Sequence, residues 1–426
     1  RVAAHGTPQE QFRVIFTIAV LMVIVSYFTV SGTFIVYGFD EPTYFRAADT
    51  IWKGELDFYR TPVYPVICKI CLILSQDKGL WIVVALQTIV FLASVVAIHK
   101  TCCLLAPHRP LVRFIAEACY SCNSTVCLWV FNILTESLSI SCVVLLCFLL
   151  ISILKGVHML RNAIFLGLLF FFMVFLKPYF ICFAPAVLIV IMMTSRKANT
   201  CARIAFAIGI MLNVGIYLIY CHQYEKKYGI FAITSISTQN FYWQIRGLRS
   251  NHSGYKIQSD STLRGFWLKK EDLLYAKQIT SNTIKAEPRK YIISMICEFF
   301  NSGSNRLPFH YLSSNTSKAT TIHPLLTLRV WEWMIFAFLL RHLWRWRRKK
   351  ANVQIHAVFA IMTICGIFTA IAASEFFEYS RLLMPVYPIL CLMIAAPGNF
   401  REDKEEKDTE TADANQHKEC TEKDSH

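Results

Sequence analysis

A chain that repeatedly runs for close to twenty residues with few or no charges has few folds open to it. Phe12–Val36, Gly79–Ile98, Leu111–Val130, Ile133–Leu154, Ala163–Leu176, Tyr179–Met193, Ile204–Tyr220, Leu325–Leu343, Val353–Ala373 and Leu382–Pro397 are such runs. Crossing a hydrocarbon layer of ~30 Å takes about 20 helical residues. Within that layer every backbone N–H and C=O must find its partner inside the chain, which selects helices. The sequence therefore predicts an all-α polytopic membrane protein, of about ten spans within a range of roughly nine to twelve. With 55% hydrophobic residues, 17% charged residues and a mean hydropathy of +0.43, a soluble globule is excluded.

The remaining composition refines this. A net charge of +15 invites a nucleic-acid partner, but the basic residues are scattered between apolar runs, which fits orientation in a membrane and no nucleic acid. With the N-terminus in the cytoplasm, the loops 99–113, 155–162, 195–203 and 341–350 are cytoplasmic and hold nearly all the short-loop Lys and Arg, including the cluster Arg341–Lys350. Of sixteen cysteines most lie inside apolar runs, where cysteine acts as a small hydrophobe. Cys68/Cys71 and Cys119/Cys122 form C-x-x-C pairs without matching ligands nearby, so neither a metal nor a disulfide framework is expected. The sequence opens on Arg1, not methionine, so its start is expected to be trimmed or incomplete.

Residues 1–400 read as one transmembrane domain, and 401–426 as a charged, disordered cytoplasmic tail. Two outer loops interrupt the spans. The first, 37–62, holds Asp40-Glu41-Pro42-Thr43-Tyr44 and a helical pattern of Tyr44, Ala47, Ala48 and Ile51, hence a helix on the membrane surface. Pro42 suits its first turn. The run Val63–Leu74 is too short to cross and is expected half-embedded. The second loop, 222–325, contains the aromatic stretch Gln239–Arg246, an amphipathic segment Glu271–Lys285, a helix start at Pro288 and glycosylation sequons at Asn251 and Asn315.

Ionisable groups at membrane depth cost about 2.5–3.5 kcal/mol each on insertion scales, so those retained near one face call for partners or water. They are Asp40, Glu41, Arg60, Glu136, Lys177, Glu378 and Arg381. Each has a plain structural reading. Asp40 can cap the surface helix, and Arg60 can anchor at the interface. Glu136 suits the first turn of a helix, Lys177 can reach the headgroups, and Glu378 can pair with Arg381 three residues on.

Taken in order, these residues form a series of motifs: Asp40-Glu41-Pro42-Thr43-Tyr44, Arg60-Thr61-Pro62-Val63-Tyr64-Pro65, Thr135-Glu136-Ser137-Leu138, Leu176-Lys177-Pro178, Tyr275-Ala276 leading to Glu287-Pro288-Arg289-Lys290-Tyr291, and Glu378-Tyr379-Ser380-Arg381-Leu382 before Met384-Pro385. The series resembles the GT-C membrane glycosyltransferases, specifically their protein-mannosyltransferase-like and aminoarabinose-transferase-like bacterial branch, over roughly Asp40 to Pro397. Lys177 stands where that branch commonly has arginine, and the tail is too short for the folded soluble domain that some members carry.

The resemblance implies transfer of a sugar from a polyprenyl-phosphate donor to a lipid, glycan or protein acceptor, with inversion, on the outer (periplasmic) face of a bacterial inner membrane. It implies Asp40 as base, with Glu41 as second choice. Arg60, Lys177 and Arg381 would hold the donor phosphate, while Tyr44, Tyr64, Glu136 and Glu378 orient substrate. No metal or other cofactor is expected, because the cations can meet the leaving phosphate's charge. An O-antigen-type polymerase or ligase and a lipid-linked sugar transporter or flippase are the alternatives. The first need not place acids directly after its first span. The second favours two related halves with paired helix breaks, and only Lys177-Pro178 is such a break.

Overall fold

The computed structural model of the chain describes residues 6–29, 40–195, 198–244, 270–293, 340, 353–373 and 382–396. The secondary structure described is helical, as expected. Among the described residues six helices are long and apolar enough to cross a membrane: α1 (Pro8–Thr29), α4 (Gly79–Leu105), α7 (Glu136–Leu154), α8 (Met159–Leu176), the segment Pro178–Ser195, and α10 (Thr200–Tyr228). In Pro178–Ser195 a 3-10 turn, Pro178–Phe183, leads into α9, Ala184–Ser195. Other helices among the described residues include α2 (Glu41–Trp52), α3 (Val63–Leu74), α5 (Pro110–Ser121), α6 (Ser124–Trp129), α11 (Ile236–Gln244), α12 (Lys270–Ala286), α13 (Val353–Ala373) and α14 (Tyr387–Ala395). The chain is a polytopic membrane protein. The expected span Leu325–Leu343, the sequons, residues Glu378 and Arg381 and the tail lie outside the described residues, Leu340 apart.

α7 is the centre of the bundle: 83% of its apolar window is buried, against 11% for α10 at the periphery. α4, α8, α9 and α14 pack around it. α8 and α10 approach closely where Gly167 meets Gly209, and Asn213 Nδ2 donates across the gap to Gly167 O at 3.0 Å. Small residues that admit a neighbouring backbone, joined by an interhelical hydrogen bond of about 0.6–2 kcal/mol, are how helices associate where lipid competes for apolar contact.

The expected span Leu111–Val130 is instead two short helices. Asn123 breaks it: its backbone is extended and its side chain accepts from Thr125 N and Val126 N, at 2.9 and 3.2 Å, capping α6. The Tyr387 hydroxyl donates to Cys119 O near the end of α5, so the break leaves that carbonyl satisfied inside the bundle.

The helix expected in the loop 37–62 is present as α2. It buries Tyr44, Ala47 and Ala48, the expected face, together with Glu41 and Thr43. Pro42 lies in its first turn. α2 packs against α3, and the chain turns tightly into α4, where a Cβ on Gly79 would lie 2.6 Å from Leu72 Cα. α10 runs past the expected Tyr220 to Tyr228 and stops at Gly229, whose φ of 78° is the left-handed conformation that a glycine adopts without strain.

Candidate active site

The loop between α2 and α3 builds the first part of the site. Asp57 Oδ1 accepts from the backbone N–H groups of Tyr59 and Arg60, at 2.8 and 2.7 Å, a local turn that fixes where Arg60 emerges. Arg46 supports it from α2, its Nη2 lying 3.7 Å from Asp57 Oδ2. Arg60 itself is 6% exposed. Its Nη2 lies 2.9 Å from Asp40 Oδ1, its Nε donates to Thr43 Oγ1 at 2.7 Å and its Nη1 to Tyr44 OH at 3.3 Å. The guanidinium also stacks over the rings of Tyr44 and Tyr59, at 4.2 and 4.7 Å from their centroids. The first turn of α2 is therefore a cradle for one arginine. Asp40 stands at the N-cap position but makes no capping hydrogen bond; its carboxylate is turned to Arg60.

The second part comes from α7 and α8, antiparallel neighbours whose start and end meet at one side of the bundle. Lys177, in extended backbone between α8 and the 3-10 turn, places Nζ 2.9 Å from Oε1 of Glu136 in the first turn of α7. The Glu136 side chain is 1% exposed and that of Lys177 15%. Thr61 Oγ1, next to Arg60, donates to the carbonyl of Leu176, next to Lys177, at 3.2 Å and so joins the two parts.

These residues open onto a cavity of about 420 Å³. Tyr44, Tyr59, Arg60 and Thr61 form one wall and Leu176–Tyr179 the floor. Tyr217 of α10, the segment after it and α11 form the opposite side, with Thr234, Asn240 and Phe241 facing in. Of the described lining residues the charged ones are Arg60 and Lys177, both cations, while their carboxylate partners Asp40 and Glu136 stand behind them and are not in the lining. A wall of this kind attracts an anion flanked by aromatic and apolar surface.

Tyr44 lines the cavity; Tyr64 does not, being fully buried with its hydroxyl donating to Gln87 Oε1 at 3.2 Å. Gln87 in turn donates to Val130 O and Asn132 O, at 2.7 and 2.9 Å, pinning α4 to the turn before α7. Glu41 is buried next to Asp40, and burial raises its carboxyl from 4.5 to about 7. Of the expected site residues, then, Asp40, Arg60 and Tyr44 form one cluster and Glu136 and Lys177 another, with both cations on one cavity. Sequence reading missed Thr43, Asp57, Tyr59, Thr61 and Gln87. The last had a signal, a glutamine within an apolar run long enough to span. Among the described residues no three of His, Cys, Asp and Glu converge to hold a metal ion.

No protein-family model matches the chain, and no curated protein matches it. Among solved structures it is similar to the oligosaccharyltransferase of Archaeoglobus fulgidus. The apo crystal structure matches at 12% identity and a TM-score of 0.48 over 90% of this chain and 50% of that one. The crystal structure of the complex with Zn and sulfate matches at 12% identity and a TM-score of 0.44 over 89% and 48%. The chain thus spans about half the length of the solved structures it matches.

Proposed function

We propose that this chain is a membrane glycosyltransferase of the GT-C type, which moves a sugar from a polyprenyl-phosphate donor to an acceptor hydroxyl or amine at the outer face of the membrane. The observation that carries this reading is the pair Arg60 and Lys177: two cations from distant segments, each held by a carboxylate that stands behind it, lining one cavity with aromatic walls. An anion whose charge grows as a bond breaks is the ligand such a wall suits. The order of the motifs from Asp40 to Met384-Pro385 supports the same class of reaction.

In this reading the donor phosphate lies against Arg60 and Lys177, with Arg381 as a third cation. The acceptor heteroatom attacks the anomeric carbon from the face opposite the phosphate. The carbon–oxygen bond to phosphate breaks, and the phosphate leaves with the bonding pair. No proton is needed by that leaving group, because the guanidinium and the ammonium meet its charge. As the phosphate draws on Arg60, Asp40 behind it takes the acceptor proton, and configuration at the anomeric carbon inverts. Glu41 is the second choice as base, since a carboxyl near 7 is matched to proton transfer at neutral pH. Glu136 and Glu378 orient the cations or sugar hydroxyls, and Tyr44 with Phe241 contacts the sugar. The active face would be periplasmic, with both termini cytoplasmic in a bacterial inner membrane.

The test is incorporation of label from a polyprenyl-phosphate sugar into an acceptor pool by the purified full chain. Asp40→Asn is expected to lower turnover by about 10²–10⁴-fold, the usual weight of a general base, while donor binding survives. Undiminished turnover in Asp40→Asn moves the base to Glu41, and undiminished turnover in both Asp40→Asn and Glu41→Gln ends the proposal.

A further inference from the structure

A second group of reactive side chains lies at the other end of the bundle. α4 carries Gln87 at the cavity end, and His99 follows twelve residues later, ~18 Å further along the helix axis. His99 Nδ1 is 3.0 Å from both carboxylate oxygens of Glu117 on α5. Its Nε2 is 3.6 Å from Cys103 Sγ, one turn on along α4. Glu117 is 0% exposed and the imidazole is its partner among the described residues, whereas Cys103 is partly exposed. Neighbouring Arg113 is engaged elsewhere, with Gln11 and the carbonyls of Ala106 and Pro107.

Glu117 faces Nδ1 and the Cys103 thiol faces Nε2, so a carboxylate that accepts from Nδ1 leaves Nε2 turned to the sulfur. Cysteine and carboxylate address opposite nitrogens of one ring, the arrangement of a nucleophile, its base and the group that orients the base, not of a metal chelate. The Phe12 ring, 4.9 Å from the imidazole, packs on it and holds its plane. α4 is 27 residues long, about 40 Å, against a hydrocarbon layer of ~30 Å, and Lys100 is exposed beside the group. Cys103 therefore sits where a span leaves the membrane, and an electrophile reaching it arrives at the boundary between lipid and water.

We propose that Cys103 is an S-acylation site, modified without a second protein by a long-chain acyl thioester. His99 takes the thiol proton and Glu117 stabilises the imidazolium. The sulfur attacks the thioester carbonyl, a new carbon–sulfur bond forms, and the donor's thiolate leaves and receives the proton from His99. One thioester replaces another, so no oxidant or further co-reactant is consumed. The acyl chain remains in the bilayer throughout while its carbonyl changes sulfur.

The test uses the full chain in unsealed membranes incubated with palmitoyl-CoA bearing an alkyne tag, read by site-resolved mass spectrometry. Cys201, an exposed thiol at the start of α10 and hence at the same end of the bundle, is the internal reference. Hydroxylamine-sensitive label is expected on Cys103 at least about tenfold faster than on Cys201, lost in Cys103→Ser and lowered toward the Cys201 rate in His99→Asn. An unchanged Cys201 rate in those variants reports that they fold. Labelling of Cys103 no faster than Cys201, or no slower in His99→Asn, overturns the proposal. So does a Cys103 that alkylates quickly with N-ethylmaleimide yet takes no acyl group.

Discussion

Lys177 Nζ lies 2.9 Å from Glu136 Oε1 although 41 positions separate the two in the chain. The contact follows from topology: α7 and α8 form an antiparallel hairpin, so the first turn of one meets the residue after the last turn of the other. One partner is buried and the other faces a cavity, which separates stability from function in a way that can be measured.

Removing one member of a buried pair strands the other and costs about 3–5 kcal/mol, whereas replacing both with apolar residues of similar volume is near neutral. Glu136→Gln and Lys177→Met are therefore expected to lower the unfolding midpoint in detergent, and the double variant Glu136→Leu/Lys177→Met to recover it. Sugar transfer in the double variant should stay low, because the cation is gone. Recovery of both properties together would assign the pair to structure alone.

Arg60 makes directional contacts with Asp40, Thr43 and Tyr44 that an ammonium cannot reproduce. Arg60→Lys is expected to raise the KM for the polyprenyl-phosphate donor by about 10-fold or more, at the 1.4 kcal/mol or so of a lost charge-assisted hydrogen bond. Donor titration against a fixed acceptor measures it. An unchanged donor KM removes Arg60 from phosphate binding.

Glu41 supplies a pH signature. Burial raises its carboxyl from 4.5 to about 7, so the folded chain keeps a proton that the unfolded chain releases near 4.5. Stability attached to this group is therefore full below about 4.5, falls as pH rises through the window to about 7, and is flat above it; the total is about 3 kcal/mol. Thermal unfolding of wild type minus Glu41→Gln across that window is expected to trace this loss. A difference independent of pH would mean that Glu41 ionises as it does in water.

Because Arg60 and Lys177 meet the leaving charge, transfer is expected to proceed at full rate after exhaustive chelation. Loss of activity that magnesium or manganese restores would contradict this.

Much of this arrangement was legible in the sequence, where local chemistry decides it. The apolar runs dictate helices, and the face Tyr44, Ala47, Ala48 with Pro42 in the first turn dictates α2. Counting crossings by the basic loops puts Glu136 and Lys177 on one face. The partners of Arg60 were legible only in part. Asp57-Phe58-Tyr59-Arg60 has the form of a side-chain turn, but that Thr43 meets Nε depends on how α2 packs on α3, which no periodicity encodes. The run Leu111–Val130 misled for a related reason. Its hydropathy passes for a span, and one half-buried asparagine, Asn123, redirects the backbone because it can satisfy the N–H groups that the break exposes.

The short stretch before Arg60 carries one last implication. Leu56 O accepts from Tyr228 OH and Lys227 Nζ, at 2.6 and 3.0 Å, Phe58 O from Tyr224 OH and Ser235 N, at 2.6 and 3.2 Å, and Tyr59 O from the Thr234 hydroxyl. Two cavity walls far apart in the chain are thus stitched into a single piece through main-chain oxygens. A chimera that borrows residues 40–62 from another protein without residues 224–235 would strand those acceptors in apolar surroundings, so the two stretches form one exchangeable cassette.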